Sequence, residues 1–243
     1  MHAPDHALPG RVEGPVLDLR DCGIGNVVLM AAGYLDACEA WGVAPRIYHD
    51  APHELDVIDL TGIEIVDTDA DVDPAIKPGT CNLPCLYASA TRMRRLVRPV
   101  DVPLDMTGVD AGFCFRVSAP ALDGHVQFMN DAAVQRMMLE MGAYRRPFVC
   151  ANDAEVLRRV LAAHPHAVSL GAEDTATRNA AHHVVQFHAL ARCPVVYHGI
   201  GSDDPAAGGV TSTFAPVAAA YGGAKIVGVD NTGGLFSGAT YRW

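Results

Sequence analysis

The chain has 243 residues, of which 50% are hydrophobic and 19% are charged, and its formal net charge at pH 7 is −10. This composition is typical of a globular protein with a sizeable core and excludes a disordered chain. The negative balance argues against nucleic acid or an anionic membrane as a general partner, because either would require a basic surface.

The N-terminal segment and the cysteines indicate a cellular compartment. The first residues read MHAPDHALPGRVEG and carry charges and prolines where a secretory signal requires an apolar stretch. No uninterrupted apolar run in the sequence is long enough to span a bilayer. The number of cysteines, seven, is odd, and most of them lie within apolar segments of the sequence, which favours reduced, buried thiols. We therefore expect a cytoplasmic protein without a membrane span, acting alone or within an oligomer or larger assembly.

A glycine turn stands near the start of the chain, between a short apolar strand and a helix. The turn contains Gly23, Gly25 and Asn26, and the apolar spacing over residues 27–41 predicts the helix that follows. A dinucleotide fingerprint would need a third glycine where Val28 stands, so this class of site is disfavoured. Asn26 is then either part of a binding turn or a simple helix cap.

Strands and helices alternate through the rest of the chain. Residues 55–67 repeat the opening pattern weakly, and the arginine-bearing stretch 88–105 is expected to cross between two domains. Alternation of this kind predicts parallel sheets covered by helices on both faces. The predicted fold class is α/β, with two Rossmann-like domains at residues 1–106 and 107–243. In the second domain the predicted strands are 112–116, 147–150, 167–170, 194–197 and 225–229, and the predicted helices lie near 131–142, 153–163 and 179–192 and after residue 213.

Polar residues follow several predicted strands and should meet at one edge of the second sheet. Ligands of parallel α/β sheets bind where the carboxyl ends of the strands lead into loops. The sequence therefore predicts a binding edge in the C-terminal domain. The residues placed there are Arg116, Asn152, Asp153, residues 199–202, Thr211, Ser212 and Thr213.

The hydroxyl residues Thr211, Ser212 and Thr213 directly precede a run of small helix formers in the segment GGVTSTFAPVAAAYGG. Hydroxyl side chains at a helix start can accept hydrogen bonds from its free amide groups. The same amides, together with the helix dipole, can hold a phosphate. A plain capped helix and an anion site are both consistent with this segment.

Four segments stand in this order along the chain: Gly23-Ile-Gly-Asn26, Phe113-Cys-Phe-Arg116, Val149-Cys-Ala-Asn-Asp153 and Thr211-Ser-Thr-Phe214. Together they resemble glycosyltransferases that move fucose from GDP-fucose and their bacterial and viral relatives. The resemblance implies a GT-B-like architecture, with the donor nucleotide held mainly by the C-terminal half and the acceptor approached by the N-terminal half. It implies transfer of a sugar, in the first instance fucose from GDP-fucose, to a glycan or other hydroxyl acceptor, without a metal or cofactor.

The chemistry of such a transfer assigns roles to the matching residues. Negative charge builds on the leaving phosphate and must be stabilised. An arginine and a helix N-terminus can do this without Mg²⁺. Arg116 is the candidate for the first role, and Asp21, beside the glycine turn, is the candidate general base. The donor-binding candidates are Gly23, Gly25, Asn26, Asn152, Asp153, Thr211, Ser212 and Thr213.

The sequence also departs from the family pattern. Cys114 stands where the family has histidine, and Ala119 stands where its acidic residue would be. The predicted helix at 180–192 lacks the acidic residue that relatives often carry. These losses leave three possibilities open: divergent chemistry, a different donor, or the alternative function, a catalytically lapsed GT-B-like module that acts as a binding or structural component of a larger assembly.

Two further classes of site are weighed against this reading. The histidines at 182, 183, 188 and 198 suggest a metal site, but His183 and His188 stand about 140° from alignment on a helix. No acidic ligand is near them in sequence, so no metal is expected. A serine hydrolase would need a nucleophile elbow, and the segment around Ser202 holds only a fragment of one.

Overall fold

The computed structural model describes residues 12–19, 23–49, 52–66, 83–117, 129–171, 180–200 and 212–237. The chain divides into two compact units. The N-terminal unit comprises Met1–Gly79 with Thr91–Arg98, and the C-terminal unit comprises Thr80–Ala90 with Pro99–Trp243. The boundary between two Rossmann-like domains that the sequence predicts after residue 106 stays a prediction.

The N-terminal unit is built on a parallel sheet with the strand order β1-β2-β3. This is the strand–helix–strand opening predicted for this part of the chain. The weak repeat expected over residues 55–67 is reduced to a 3-10 helix and a short strand. The elements are β1 (Val12–Asp18), α1 (Ile24–Trp41), β2 (Val43–Tyr48), the 3-10 helix Pro52–Val57 and β3 (Glu64–Val66).

Helix α1 begins earlier than the sequence analysis expects. Its N-cap is Gly23, which offers no side chain for a cap, so the interpretation of Asn26 as a helix cap is wrong. Gly25 and Asn26 lie in the first helical turn and not in a preceding loop. The cause is that Ile24 is buried together with Val27, at helical spacing, which extends the apolar face of the helix into the expected turn.

A tyrosine on α1 hydrogen-bonds to both strands of the adjacent sheet where their register is irregular. The register of β1 against β2 shifts between Glu13 and Val16. The hydroxyl of Tyr34 donates a hydrogen bond to the carbonyl of Pro15 and accepts one from the amide of Arg46 at 2.9 Å. Burial of this hydroxyl raises the pKa of Tyr34. One side chain thus satisfies backbone groups of both strands.

The arginine-bearing stretch contains a helix, α2 (Leu83–Leu96), that was not predicted from the sequence. The expected crossing between two domains in this stretch stays a prediction. Arg92 of this helix makes ion pairs with two acidic residues on α1. Its Nε lies 2.5 Å from Asp36 Oδ1, and its guanidinium also contacts Glu39. These partly exposed pairs fasten the end of α2 to α1 within the N-terminal unit.

The C-terminal unit contains a sheet with the strand order β5-β4-β6-β7-β8. The first four are parallel, and β8 is an antiparallel edge strand that the sequence analysis missed. The strand predicted at 167–170 is reduced to a single bridge between Val168 and Phe148. The elements are β4 (Ala111–Phe115), α3 (Asp131–Met141), β5 (Pro147–Ala151), α4 (Ala154–Ala163), α5 (Ala180–Ala191), β6 (Val195–Gly199), α6 (Phe214–Gly222), β7 (Lys225–Val229) and β8 (Leu235–Ser237).

Helices cover this second sheet on both faces, as predicted. On the face of α3 and α4, Phe113 stacks on Tyr197 with ring centroids 4.6 Å apart, within a buried apolar cluster. On the other face, a Cβ added to Gly112 would meet the sulfur of Cys193, just beyond α5, at 3.0 Å. In the described part of the chain, no helix is both long and apolar enough to cross a membrane.

Candidate functional site at the carboxyl edge of the C-terminal sheet

The order of the strands places a switch point between β4 and β6. The chain passes from β4 to its neighbour β5 on one side and then returns to form β6 on the other side of β4. Loops that leave two such strands run in opposite directions and open a crevice at the carboxyl ends, where ligands of this architecture bind. Cys114 pairs with His198 in register, so Arg116 and Ile200 are the residues that lead away from this point.

Arg116 lies at the end of β4, beside this switch point. It follows the last residue of the strand directly, its side chain is half-buried and its Nε is shielded from solvent. A guanidinium at this place can offer paired N–H donors to a phosphate or carboxylate. Arg116 was predicted at the end of a strand, and it directly follows the end of β4. Its predicted role at a binding edge stays a prediction.

Asn152 and Asp153, which follow β5, both have contacts within the protein. The carboxamide of Asn152 accepts a hydrogen bond from the amide of Val117 and donates one to its carbonyl, each at 2.9 Å. Asp153 caps α4, since its Oδ1 accepts from the amide of Val156 at 2.8 Å. Their predicted role in direct donor binding stays a prediction, and the contacts present give both side chains a structural role.

The start of α6 lies at the same edge, because this helix runs back between the parallel strands β6 and β7. Thr213 is the N-cap, but its side chain makes no cap hydrogen bond, so the interpretation of these hydroxyls as a conventional cap is wrong at Thr213. The reason is its helical backbone conformation, with φ −75° and ψ −14°, where capping requires extended geometry. Ser212 precedes it in the described chain, whereas Thr211 lies outside the described residues.

The first turn of α6 contains amide groups that have no acceptor within the helix itself. The amide of Val217 donates to the carbonyl of Thr213 at 3.0 Å, and Pro216 has no N–H. By helix geometry, the amides of Phe214 and Ala215 have no acceptor further back within the helix. These amides and the positive end of the helix dipole favour an anion.

A polar network at the end of β7 was missed by the sequence analysis. Asp230 is buried, and its Oδ1 accepts from the amide and hydroxyl of Thr232 at 2.9 and 2.8 Å and from the amide of Gly234 at 2.7 Å. Asn231 joins this turn to the start of α3, because its Oδ1 accepts from the amide of Asn130 at 3.0 Å. The signal was the Asp-Asn-Thr-Gly-Gly segment after a strand, which is typical of a side-chain-stabilised turn.

The N-terminal unit has polar groups of its own at the edge of its sheet. Asp18 and His49 are buried at the carboxyl ends of β1 and β2, and neither was singled out from the sequence. The predicted general base, Asp21, lies outside the described residues. Gly23 and Gly25 lie at the start of α1, at the carboxyl edge of this sheet, and their predicted contact with the donor stays a prediction.

The histidines considered as metal ligands are dispersed. His198 lies within β6 and is fully buried, which lowers its pKa to about 3 and keeps it neutral. His182 lies on α5 with its Nε2 2.9 Å from Gln186 Nε2. Within the ranges that the structure describes, no group of three or more His, Cys, Asp or Glu side chains is placed to hold a metal ion.

Comparisons with known proteins agree with this architecture at the level of the fold. No protein-family model matches the chain, and no curated protein matches it in sequence. Among solved structures, the fucosyltransferase NodZ from Bradyrhizobium is similar to this chain, with a TM-score of 0.54 and 14% sequence identity. The match covers 94% of this chain and 99% of the NodZ chain. The fold is fucosyltransferase-like. The predicted α/β, GT-B-like fold class is thereby confirmed. The resemblance to fucosyltransferases found in the sequence is confirmed at the level of the fold.

Two further structures with this fold contain GDP. The α-1,6-fucosyltransferase NodZ co-crystallised with GDP gives a TM-score of 0.57 at 13% identity, over 94% of this chain and 99% of NodZ. A mutant of Arabidopsis thaliana FUT1 in complex with GDP gives 0.56 at 10% identity, over 92% of this chain and 72% of FUT1. At such identities the fucosyltransferase-like fold is shared, whereas the activity has to be argued from the site.

Proposed function

We propose that this protein is a glycosyltransferase that moves a sugar from a nucleoside diphosphate, most simply fucose from GDP-fucose, to a hydroxyl group of a glycan or another acceptor. The observation that carries the proposal is the position of Arg116 at the switch point between β4 and β6. Helix α6 begins at the same edge of the sheet, and its first amides have no acceptor within the helix. Solved proteins with this fold include NodZ with GDP and NodZ soaked with GDP-fucose.

The reaction exchanges one bond at the anomeric carbon of the sugar. The acceptor oxygen forms a bond to this carbon, the bond from the carbon to the β-phosphate oxygen breaks, GDP leaves with the bonding electrons, and the acceptor proton passes to a base. Arg116 would stabilise the charge that develops on the leaving phosphate, together with the amides of Phe214 and Ala215. Ser212 and Thr213 would add hydroxyl donors. Asp21 remains the proposed base.

Positive groups of the protein replace a metal ion in this proposal. A guanidinium and a helix N-terminus both favour an oxyanion without the ligands that Mg²⁺ requires. We therefore propose that neither metal nor cofactor takes part, and that GDP binding persists in the presence of EDTA.

A binding module without transfer is the second candidate function, because one observation favours it. Cys114 stands where the family has histidine, and it is buried within β4 with an exposed fraction of 4%. A buried thiol at this position cannot supply the hydrogen bonds of an imidazole. Binding of GDP-fucose without release of GDP in the presence of hydroxyl acceptors would select this candidate over the enzyme.

The Arg116→Ala variant is expected to bind GDP about tenfold more weakly than the wild type, or worse. The loss of a charge-assisted hydrogen bond to phosphate costs roughly 1.5 to 3 kcal/mol. Calorimetric titration with GDP, GDP-fucose and UDP measures this loss and the selectivity for the base. Arg116→Lys should keep part of the affinity, because it retains the charge but not the paired donors.

The matched control is Arg192→Ala. Arg192 is exposed and lies just before β6, at the opposite edge of the sheet, so its removal should leave GDP affinity unchanged. Equal affinity for GDP in the wild type and Arg116→Ala would contradict the proposed role of the arginine. A wild-type protein that binds none of the three nucleotides would contradict the proposed function as a whole.

A further inference from the structure

Asn152 extends the pairing of β4 with β5 by one residue beyond the strands. The last backbone pair of the ladder joins Phe115 to Ala151, which places Asn152 opposite Arg116. Beyond this point the carboxamide of Asn152 makes the two hydrogen bonds that a peptide group of a paired strand would make. It accepts from the amide of Val117 and donates to the carbonyl of Val117, each at 2.9 Å.

These contacts hold the chain on both sides of Arg116. The amide of Asn152 donates to the carbonyl of Phe115 at 3.2 Å, on the N-terminal side of the arginine. The carboxamide holds Val117 on the C-terminal side. Asn152 therefore limits the rotation of the two peptide groups that set the direction of the Arg116 side chain.

Asn152 is itself held in place by α4. The next residue, Asp153, caps this helix with a hydrogen bond of 2.8 Å from the amide of Val156, and its φ of −126° and ψ of 121° are extended. The start of α4 is thus connected through Asn152 to the backbone of the proposed phosphate-binding arginine. A half-buried side chain held at one end in this way loses little further freedom when a ligand arrives.

We propose that Asn152 is a positioning residue that acts on nucleotide binding through Arg116, and not a direct ligand of the donor. The proposal rests on the proposed function. A direct ligand would present its carboxamide to the nucleotide, whereas here one N–H and the carbonyl oxygen are already used by Val117.

The same two strands offer a matched control at their other ends. Asp110, just before β4, accepts hydrogen bonds from the amides of Arg145 at 2.7 Å and Arg146 at 3.1 Å, just before β5. This is also a side-chain-to-backbone clamp between β4 and β5. It lies about 16 Å from the carboxyl edge, since the strand has five residues at roughly 3.3 Å each. Asp110→Ala should thus weaken the sheet without moving Arg116.

The test is a double-mutant cycle on GDP affinity. Asn152→Ala should weaken GDP binding about three- to tenfold in the wild-type background and less than about 1.5-fold in the Arg116→Ala background, because residues that act through one another are not additive. Asp110→Ala should leave the affinity unchanged in both backgrounds. An equal loss from Asn152→Ala in both backgrounds, or no loss in either, would overturn the proposal.

A second measurement needs no nucleotide and separates this proposal from the proposed function. In the ligand-free protein, the ¹⁵N–¹H signal of Arg116 Nε should shift or broaden in Asn152→Ala and stay unchanged in Asp110→Ala. Asn152→Asp, which keeps an acceptor for the Val117 amide but turns a second oxygen toward its carbonyl, provides an isosteric variant with the same expected sign. If the wild type binds no GDP, the proposed function fails, and an unchanged Arg116 signal overturns the positioning role as well.

Discussion

Acidification is expected to remove roughly 4 kcal/mol of unfolding free energy through His198 alone between pH 6.5 and about pH 3.5. Desolvation lowers the pKa of His198 from 6.5 to about 3 in the folded protein. Nδ1 lies 3.1 Å from the carbonyl of Gly199, which can only accept, so the neutral ring carries its proton on Nδ1. The buried ring has to stay neutral while the unfolded chain takes up a proton.

The sign of this effect follows from the two pKa values. The stabilisation is fully present above pH 6.5 and is lost as the pH falls toward 3, at about 1.4 kcal/mol for each pH unit. The variant His198→Asn does not titrate in this range. As the pH falls, the difference in unfolding free energy between the wild type and the variant should therefore shift in favour of the variant by about 1.4 kcal/mol for each pH unit. Denaturant unfolding at several pH values measures the difference. Parallel curves for the two proteins would contradict the account, and the exposed His166→Asn serves as the control.

The Gly222→Ala variant is expected to lose about 3 kcal/mol of unfolding free energy. A Cβ at Gly222, the last residue of α6, would lie 1.9 Å from the carbonyl oxygen of Ala191 at the end of α5. The obstacle is a backbone atom, so no side-chain rotation can relieve the clash and the two helices have to move apart. Phe187 of α5 contacts the rings of Phe214 and Tyr221 on α6, so this movement also disturbs buried aromatic packing.

Gly33→Ala is the control for this prediction. Gly33 is exposed within α1, and a Cβ there meets nothing within 4 Å. Alanine in a helix interior is favoured over glycine, so this variant should gain about 0.4 to 1 kcal/mol. Denaturant unfolding of both variants gives the comparison. A loss below about 1 kcal/mol for Gly222→Ala would indicate that α5 and α6 do not approach each other this closely.

The parts of the fold that the sequence predicted are those with a strong local pattern. The helix Ala154–Ala163 has apolar residues at helical spacing behind a capping aspartate, and it was predicted within one residue of its start. Strand β7, Lys225–Val229, contains three β-branched residues, is buried after its first residue, and was predicted with its observed bounds. In both segments the local preference and the tertiary environment agree.

The errors arose where long-range packing decided the structure. The start of α1 was moved by burial of Ile24, and the segment before residue 97 was ordered as a helix whose Arg92 pairs with α1. Strand β8 has only three residues, and its pairing with β7 depends on the turn that Asp230 stabilises. No local pattern discloses such contacts, because the partners are distant in sequence.

The candidate site was only partly predictable for the same reason. Arg116 could be placed at the edge of the sheet from the end of its strand alone. The contact between Asn152 and Val117 spans 35 residues, so the sequence indicated a polar residue at the edge without disclosing what it contacts. Thr213 was expected to cap α6 because of its residue type, but its backbone conformation decided otherwise.

Hydrogen–deuterium exchange of the wild type with and without saturating GDP tests the central claim most directly. A nucleotide held by Arg116 and the first turn of α6 should slow amide exchange at residues 115–117 and 212–217, and these segments are far apart in sequence. UDP at the same concentration should protect them less. Unchanged exchange in both segments at saturating GDP, or protection confined to other parts of the chain, would contradict the assignment of a nucleotide-sugar site to this edge of the sheet.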